Sequence, residues 1–141
     1  MKKNRPRILL VCRCFIKRRD GRFLIIKKVP TSKSNPNKWE SVGGKADEGE
    51  DIFGALAREV KEETGLTVKH TSSLVFSESY VRKSEGIALL VLTSIATCQP
   101  GEVTLSNEHC KFAWVRWKGV LASDLTEETR RAAEALSRYG Q

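Results

Sequence analysis

Three glutamates, Glu59, Glu62 and Glu63, stand at i, i+3 and i+4. On a helix these positions are neighbours within one arc of about 100°. Each like-charged pair at that spacing costs roughly 0.2–0.5 kcal/mol in an isolated helix. All three come just before Gly65, the expected C-cap, at the helix end where the macrodipole disfavours anions. The same arc borders Ile52, Ala55 and Leu56, so the carboxylates face the sheet side rather than open water. Arg58 and Lys61 are two cations against three glutamates plus Glu50 and Asp51. An acidic island of this kind is either a solvated helix face or a cation site. The geometry favours a bound divalent ion, and hard oxygen donors favour Mg2+, Mn2+ or Ca2+ over zinc.

The preceding loop opens with Gly43-Gly44-Lys45 and closes onto the helix with Gly49-Glu50-Asp51. Paired glycines permit close backbone approach, and a lysine beside them can meet a phosphate. A plain tight turn is the alternative. The Gly-x4-Gly-Lys-Ser/Thr spacing of a P-loop is missing.

These groups need elements to hold them. Ile8 to Ile16 and Arg22 to Val29 read as strands joined through Asp20-Gly21, a hairpin turn signal. Pro30 to Lys38 is a polar loop, and Trp39 to Val42 a short extended piece. Asp51 to Thr64 is helical, with Ile52, Ala55, Leu56 and Val60 as its apolar positions. Leu66 to Val68, Ser73 to Val81, Gly86 to Cys98 and Phe112 to Trp117 are expected strands. Thr126 to Tyr139 is a second helix, with Ala132, Ala133, Leu136 and Tyr139 on one side. The expected fold class is α/β, an α/β/α sandwich around a mixed β-sheet.

The length of 141 residues fits one domain, residues 1–141, with core enough to fold unaided. No apolar run approaches the ~20 residues of a membrane helix. Arg13 breaks the apolar N-terminal run, and Lys17-Arg18-Arg19 stands where a leader peptide would be cleaved, so no signal peptide is expected. Four scattered cysteines suit reduced thiols in a cytoplasmic protein. Residues 1–45 hold 14 Lys/Arg and 2 acidic residues, a net of +12, while 46–63 hold 7 acidic and 2 basic, a net of −5. A basic body attracts phosphates or nucleic acid.

Gly44, five residues, Glu50, seven residues, then Arg58-Glu59-Val60-Lys61-Glu62-Glu63-Thr64-Gly65-Leu66 resembles the Nudix box at every constrained position, over 23 of 141 residues. The approach Trp39-Glu40-Ser41-Val42-Gly43-Gly44-Lys45 is similar to the MutT-like branch, with Val42 where that branch often has proline. The resemblance implies hydrolysis of a nucleoside diphosphate linked to another group, with Mg2+ or Mn2+ as cofactor. It makes Glu59, Glu62 and Glu63 metal ligands, with the Gly44 carbonyl a further one. Arg58 then orients the carboxylates, Glu50 holds the loop to the helix, Gly65 ends the helix, and Glu62 or Glu63 is the base. Glu108 stands where family members often place a further acid. Lys45, Gly43 and Trp39 are the expected substrate contacts.

Other residues have plainer readings. His109 is expected to be an exposed loop histidine, His70 has no evident role, and Cys12 and Cys14 are buried on one strand face. Trp114 is expected in the core, and Tyr80 lies in a region some Nudix branches use for substrate choice. Arg5, Arg7, Arg13, Lys27 and Lys28 are phosphate contacts or simply solvated. The expected substrate is a (deoxy)nucleoside triphosphate, giving a monophosphate and pyrophosphate. The minimal length, with only 43 residues before the box, and the Trp39 to Lys45 segment favour that substrate, and ADP-ribose, a dinucleoside polyphosphate or a nucleotide sugar are the alternatives. A nucleotide-sensing or RNA-binding domain is the other class, with nucleic acid not the favoured partner. No membrane partner is expected, and the chain is a monomer or a homodimer.

Overall fold

The computed structural model describes residues 4–139, so the basic start Met1 to Lys3 lies outside them. Seven strands and three α-helices follow in order among the described residues. They are strands β1 (Arg7–Ile16), β2 (Phe23–Lys28), β3 (Trp39–Glu40) and β4 (Val42–Lys45), helix α1 (Ile52–Thr64), and strands β5 (Val68–Arg82), β6 (Ile87–Cys98) and β7 (His109–Val115). Helices α2 (Trp117–Ala122) and α3 (Glu127–Leu136) close the chain.

The α/β architecture matches the sequence reading, with the strands divided between two sheets. One has the order β4-β1-β6-β5 and is mixed, since β1 and β6 run parallel while β4 and β5 pair antiparallel. The other has the order β3-β2-β7 and is antiparallel. The Asp20-Gly21 turn forms, with Arg18 N–H donating to the Arg22 carbonyl over 2.7 Å. The strands it joins then part into different sheets, keeping only the bridge between Lys17 and Phe23. The turn signal is local and carries no information about how far the pairing continues.

Alternation along β1 and β2 explains the layers. Cys12, Cys14, Ile16, Leu24 and Ile26 pack with Ala55, Leu56 and Val60 of α1. Their odd-numbered neighbours Phe15, Phe23 and Ile25 pack with Val120 of α2 and Ala132, Ala133 and Leu136 of α3. Period-2 side-chain direction therefore sends each strand's residues to two opposite cores. Burying a Leu, Ile or Phe in either is worth roughly 1.5–3 kcal/mol.

Four local readings change, the first being that the expected strands Leu66 to Val68 and Ser73 to Val81 are one strand, β5 (Val68–Arg82). Ile52 faces solvent beside the exposed Phe53, so α1 buries Ala55, Leu56 and Val60 but not its first apolar residue. Trp117 opens α2 instead of ending a strand, and α2 is a third helix. Tyr139 is exposed beyond the end of α3, three residues past Leu136. Among the described residues no helix is long and apolar enough to cross a membrane.

Candidate active site

Helix α1 is held at both ends. Asp51 is its N-cap, accepting from the Gly54 N–H at 2.7 Å. Gly65 adopts φ 75° and its N–H returns to the Lys61 carbonyl, a left-handed cap that glycine supplies without strain. The last carbonyls of the helix are taken by the segment before β7. Thr104 N–H donates to Thr64 over 2.8 Å and Ser106 N–H to Glu63 over 3.3 Å. The orphan acceptors of the helix end thus anchor the loop that carries Glu108. Lys61 caps too, with Nζ 3.2 Å from the Gly65 carbonyl oxygen, so it does not serve the glutamates.

Strand β4 brings the glycines over β1, with Gly43 opposite Arg13 and Gly44 opposite Cys12. Gly43 has φ 147°, and a Cβ there would overlap the Cys12 carbonyl oxygen. Gly44 faces α1, where a Cβ would lie 2.7 Å from Glu59 Cδ. Both glycines are therefore required by close approach, one to backbone and one to a carboxylate.

Arg58 organises the acids. Its Nε and Nη2 donate to the two oxygens of Glu50 over 2.8 and 2.9 Å, and Nη2 also donates to the Lys45 carbonyl over 3.0 Å. Its Nη1 reaches Glu59 at 3.1 Å and Glu62 at 3.2 Å. Glu50 accepts in addition from the Asp47 N–H at 2.6 Å. The Arg58 guanidinium, with help from that amide, draws the Glu50 carboxyl down to about 2. Glu50 is thus a strut between loop and helix.

The three glutamates differ in environment. Glu62 is exposed. Glu59 is half-buried, and burial raises its carboxyl despite Arg58. Glu63 is 6% exposed, and its Oε1 accepts from the Gly43 N–H at 2.9 Å. Burial pushes the Glu63 carboxyl up to about 7, with Arg13 and the Gly43 amide opposing. Such a carboxylate stays charged at lower pH only if a cation joins it.

A cleft of about 440 Å³ brings together Gly43, Gly44, Lys45, Glu59, Glu62, Glu63 and Glu108, seven of the residues singled out in the sequence, with Asp47, Ser106 and Asn107. Arg58 and Glu50 stand behind it. Trp39 is not among its lining residues; it packs on the α3 side and ties its backbone to Asp124 and Thr126. A larger cleft of about 770 Å³ is lined by Lys17, Arg18, Arg19, Lys69 and Trp114 among others. It contains no carboxylate and none of the box glutamates.

Two residues differ from their sequence readings. His109 is buried, 5% exposed, because it opens β7 opposite Lys28 rather than lying in a loop. Its Nε2 is 2.8 Å from Glu40 Oε2. Arg13 is buried rather than solvated, and its Nη2 is 3.1 Å from Glu40 Oε1. Arg13 also donates to the Ser41 hydroxyl over 3.0 Å and lies 3.6 Å from Glu128 of α3. Burial alone would lower the Arg13 pKa, but Glu40, Glu128 and Glu63 raise it overall. Glu40 itself is held below the usual carboxylate range, since Arg13 and His109 outweigh its burial. A lone arginine inside the apolar run of β1 was the available signal, because a buried cation must find carboxylates. Cys12 and Cys14 are buried as expected, and Trp114 is half-buried with Arg18 4.8 Å from its ring centroid. Tyr80 donates to Glu128 over 3.3 Å, and His70 is exposed on the rim of the larger cleft.

A two-sheet sandwich carrying glutamates on a capped helix beside a glycine pair defines a class of hydrolase fold, and comparison with known proteins names it. Residues 8–136 match the NUDIX domain, and the chain belongs to that family as a MutT-like Nudix hydrolase. It is similar to the nucleoside triphosphatase NudI of Escherichia fergusonii, 29% identical over 126 residues, 84% of this chain and 89% of that protein. The MutT NUDIX hydrolase of Burkholderia pseudomallei superposes with a TM-score of 0.76 at 27% identity, over 91% of this chain and 97% of that one. The MutT protein of Methanosarcina mazei Go1 shares the fold, with a TM-score of 0.77 at 23% identity over 96% and 97% of the two chains.

Proposed function

We propose that this hydrolase cleaves the diphosphate linkage of a nucleoside triphosphate, giving a monophosphate and pyrophosphate, with Mg2+ or Mn2+ as cofactor. The observation that carries the reading is the single cleft shared by Glu59, Glu62, Glu63, Glu108 and the Gly43-Gly44-Lys45 stretch of β4. The likeness to a nucleoside triphosphatase over most of both chains supports the substrate class.

The residues fit a divalent ion. Carboxylates from α1 and the Gly44 carbonyl offer hard oxygen donors, and the missing Cβ of Gly44 leaves room for the Glu59 carboxylate. Glu59, Glu62, Glu63 and Gly44 are the proposed holders. An ion bound there supplies charge neutralisation for the diphosphate and a lower pKa for a water molecule.

The chain's own groups do the rest. Lys45 is exposed at the rim and meets a phosphate oxygen. Arg58 fixes the carboxylates from behind through charge-assisted hydrogen bonds. Glu63 is immobilised by Gly43 and keeps its position. Glu62 is reached by solvent and takes the proton of the attacking water on a carboxylate oxygen. The water oxygen bonds to phosphorus, the anhydride P–O bond breaks, and pyrophosphate leaves with the electron pair.

A panel of nucleoside triphosphates with product identification tests this. Monophosphate and pyrophosphate are expected with added Mg2+ or Mn2+, with turnover abolished by EDTA and cut by orders of magnitude in Glu62→Gln. Full activity in EDTA, or stepwise release of inorganic phosphate, refutes it.

A further inference from the structure

We propose that the ring nitrogen of His109 left free by Glu40 is a metal ligand, joining Glu63 and Glu108 in a mixed nitrogen–oxygen site for a borderline divalent ion such as Mn2+. The inference rests on reading the cleft as a metal-holding centre and adds a donor from outside the box. A ring nitrogen of His109 and one carboxylate oxygen each from Glu63 and Glu108 lie within 4.8 Å of one another. Ion–donor bonds of roughly 2.0–2.6 Å let three atoms so spaced reach one ion with small side-chain movements.

An independent observation points the same way. Nδ1 of His109 is the one buried side-chain polar atom without a hydrogen-bond partner among the described residues. A buried polar atom left without a partner is costly, so its persistence calls for a ligand. Its other nitrogen, Nε2, is 2.8 Å from the Glu40 carboxylate. Glu40 is itself gripped by Arg13 at 3.1 Å, so it acts as acceptor and Nε2–H as donor. In a neutral imidazole this leaves the buried Nδ1 with a lone pair that no protein group shares. Carboxylate, imidazole and metal in series is the usual way a ligating histidine is oriented. The carboxylates have capacity to spare. Glu63 uses Oε1 for Gly43, and the Glu108 side chain makes no hydrogen bond among the described residues. A nitrogen donor shifts preference from Mg2+ and Ca2+ toward the transition ions.

Pulsed electron paramagnetic resonance on the Mn2+-loaded full chain reads directly bound imidazole through its nitrogen coupling. The chain has two histidines, so His70→Gln leaves His109 as the sole source. We expect nitrogen modulation in the wild type and in His70→Gln, converted to the 15N pattern by 15N-histidine labelling. His109→Gln should lose it and raise the Mn2+ Kd about tenfold or more, while Mg2+ affinity moves less. The 15N-labelled His70→Gln protein suffices should His109→Gln fail to fold. Bound Mn2+ without histidine coupling overturns this inference and leaves the metal-centre reading standing. Absence of any Mn2+ binding overturns both. A purely structural His109 would give a lower Tm in His109→Gln with no nitrogen signal in the wild type, which also overturns it.

Discussion

Arg58 grips Glu50 with two parallel hydrogen bonds of 2.8 and 2.9 Å across eight residues of chain, and so joins the glycine loop to the helix of glutamates. The same guanidinium touches Glu59 and Glu62 with Nη1. Lysine has one point charge and cannot reproduce a planar fork serving three carboxylates. Arg58→Lys should therefore lower turnover and metal affinity about 10–100-fold and leave the fold intact. Calorimetric Mn2+ titration beside circular dichroism checks this. Wild-type affinity in the variant would show that the carboxylates need no such clamp.

Glu63 gives the metal-free protein a pH dependence of definite sign. Its carboxyl sits at about 7 in the fold against an ordinary 4.5, so the folded state binds the extra proton between those values. Stability from this group is complete below about 4.5 and is lost as pH rises through about 7, at most about 3 kcal/mol. In EDTA, Tm should fall from pH 5 to pH 8 through this carboxyl, in contrast to a salt-bridged one. Glu63→Gln should flatten that slope. Saturating Mn2+ should reverse it, with a proton released on binding near pH 6. A metal-free Tm slope identical in wild type and Glu63→Gln would remove the effect.

The site was legible in sequence where its logic is local. Asp51 and Gly65 mark helix ends by their own chemistry, and the i, i+3, i+4 spacing puts Glu59, Glu62 and Glu63 together without reference to the rest of the chain. What escaped depends on long-range partners. His109 is buried because β7 begins one residue after Glu108 and pairs with β2, with Glu40 of β3 beyond it. Arg13 meets Glu40 and Glu128 from segments 27 and 115 positions away, contacts no periodicity can reveal. The split into two sheets has the same origin, since strand patterns report which face is apolar and not which neighbour is chosen.

The two adjacent glycines should fail in different ways. At Gly44 a Cβ would lie 2.7, 2.8 and 2.9 Å from Glu59 Cδ, Oε1 and Oε2. A side-chain end can swing aside, so Gly44→Ala should fold, displace Glu59 and weaken Mn2+ binding about tenfold or more. At Gly43 the obstacle is backbone, with the Cys12 carbonyl oxygen overlapped and Arg13 Cα at 2.6 Å, and φ is 147°. Neither β1 nor the dihedral can yield, so Gly43→Ala should cost about 2–5 kcal/mol of stability. Chemical denaturation of both variants, paired with Mn2+ titration of the folded one, separates the roles. A Gly44→Ala protein that binds Mn2+ like the wild type would mean that Glu59 is not placed by the space this glycine leaves.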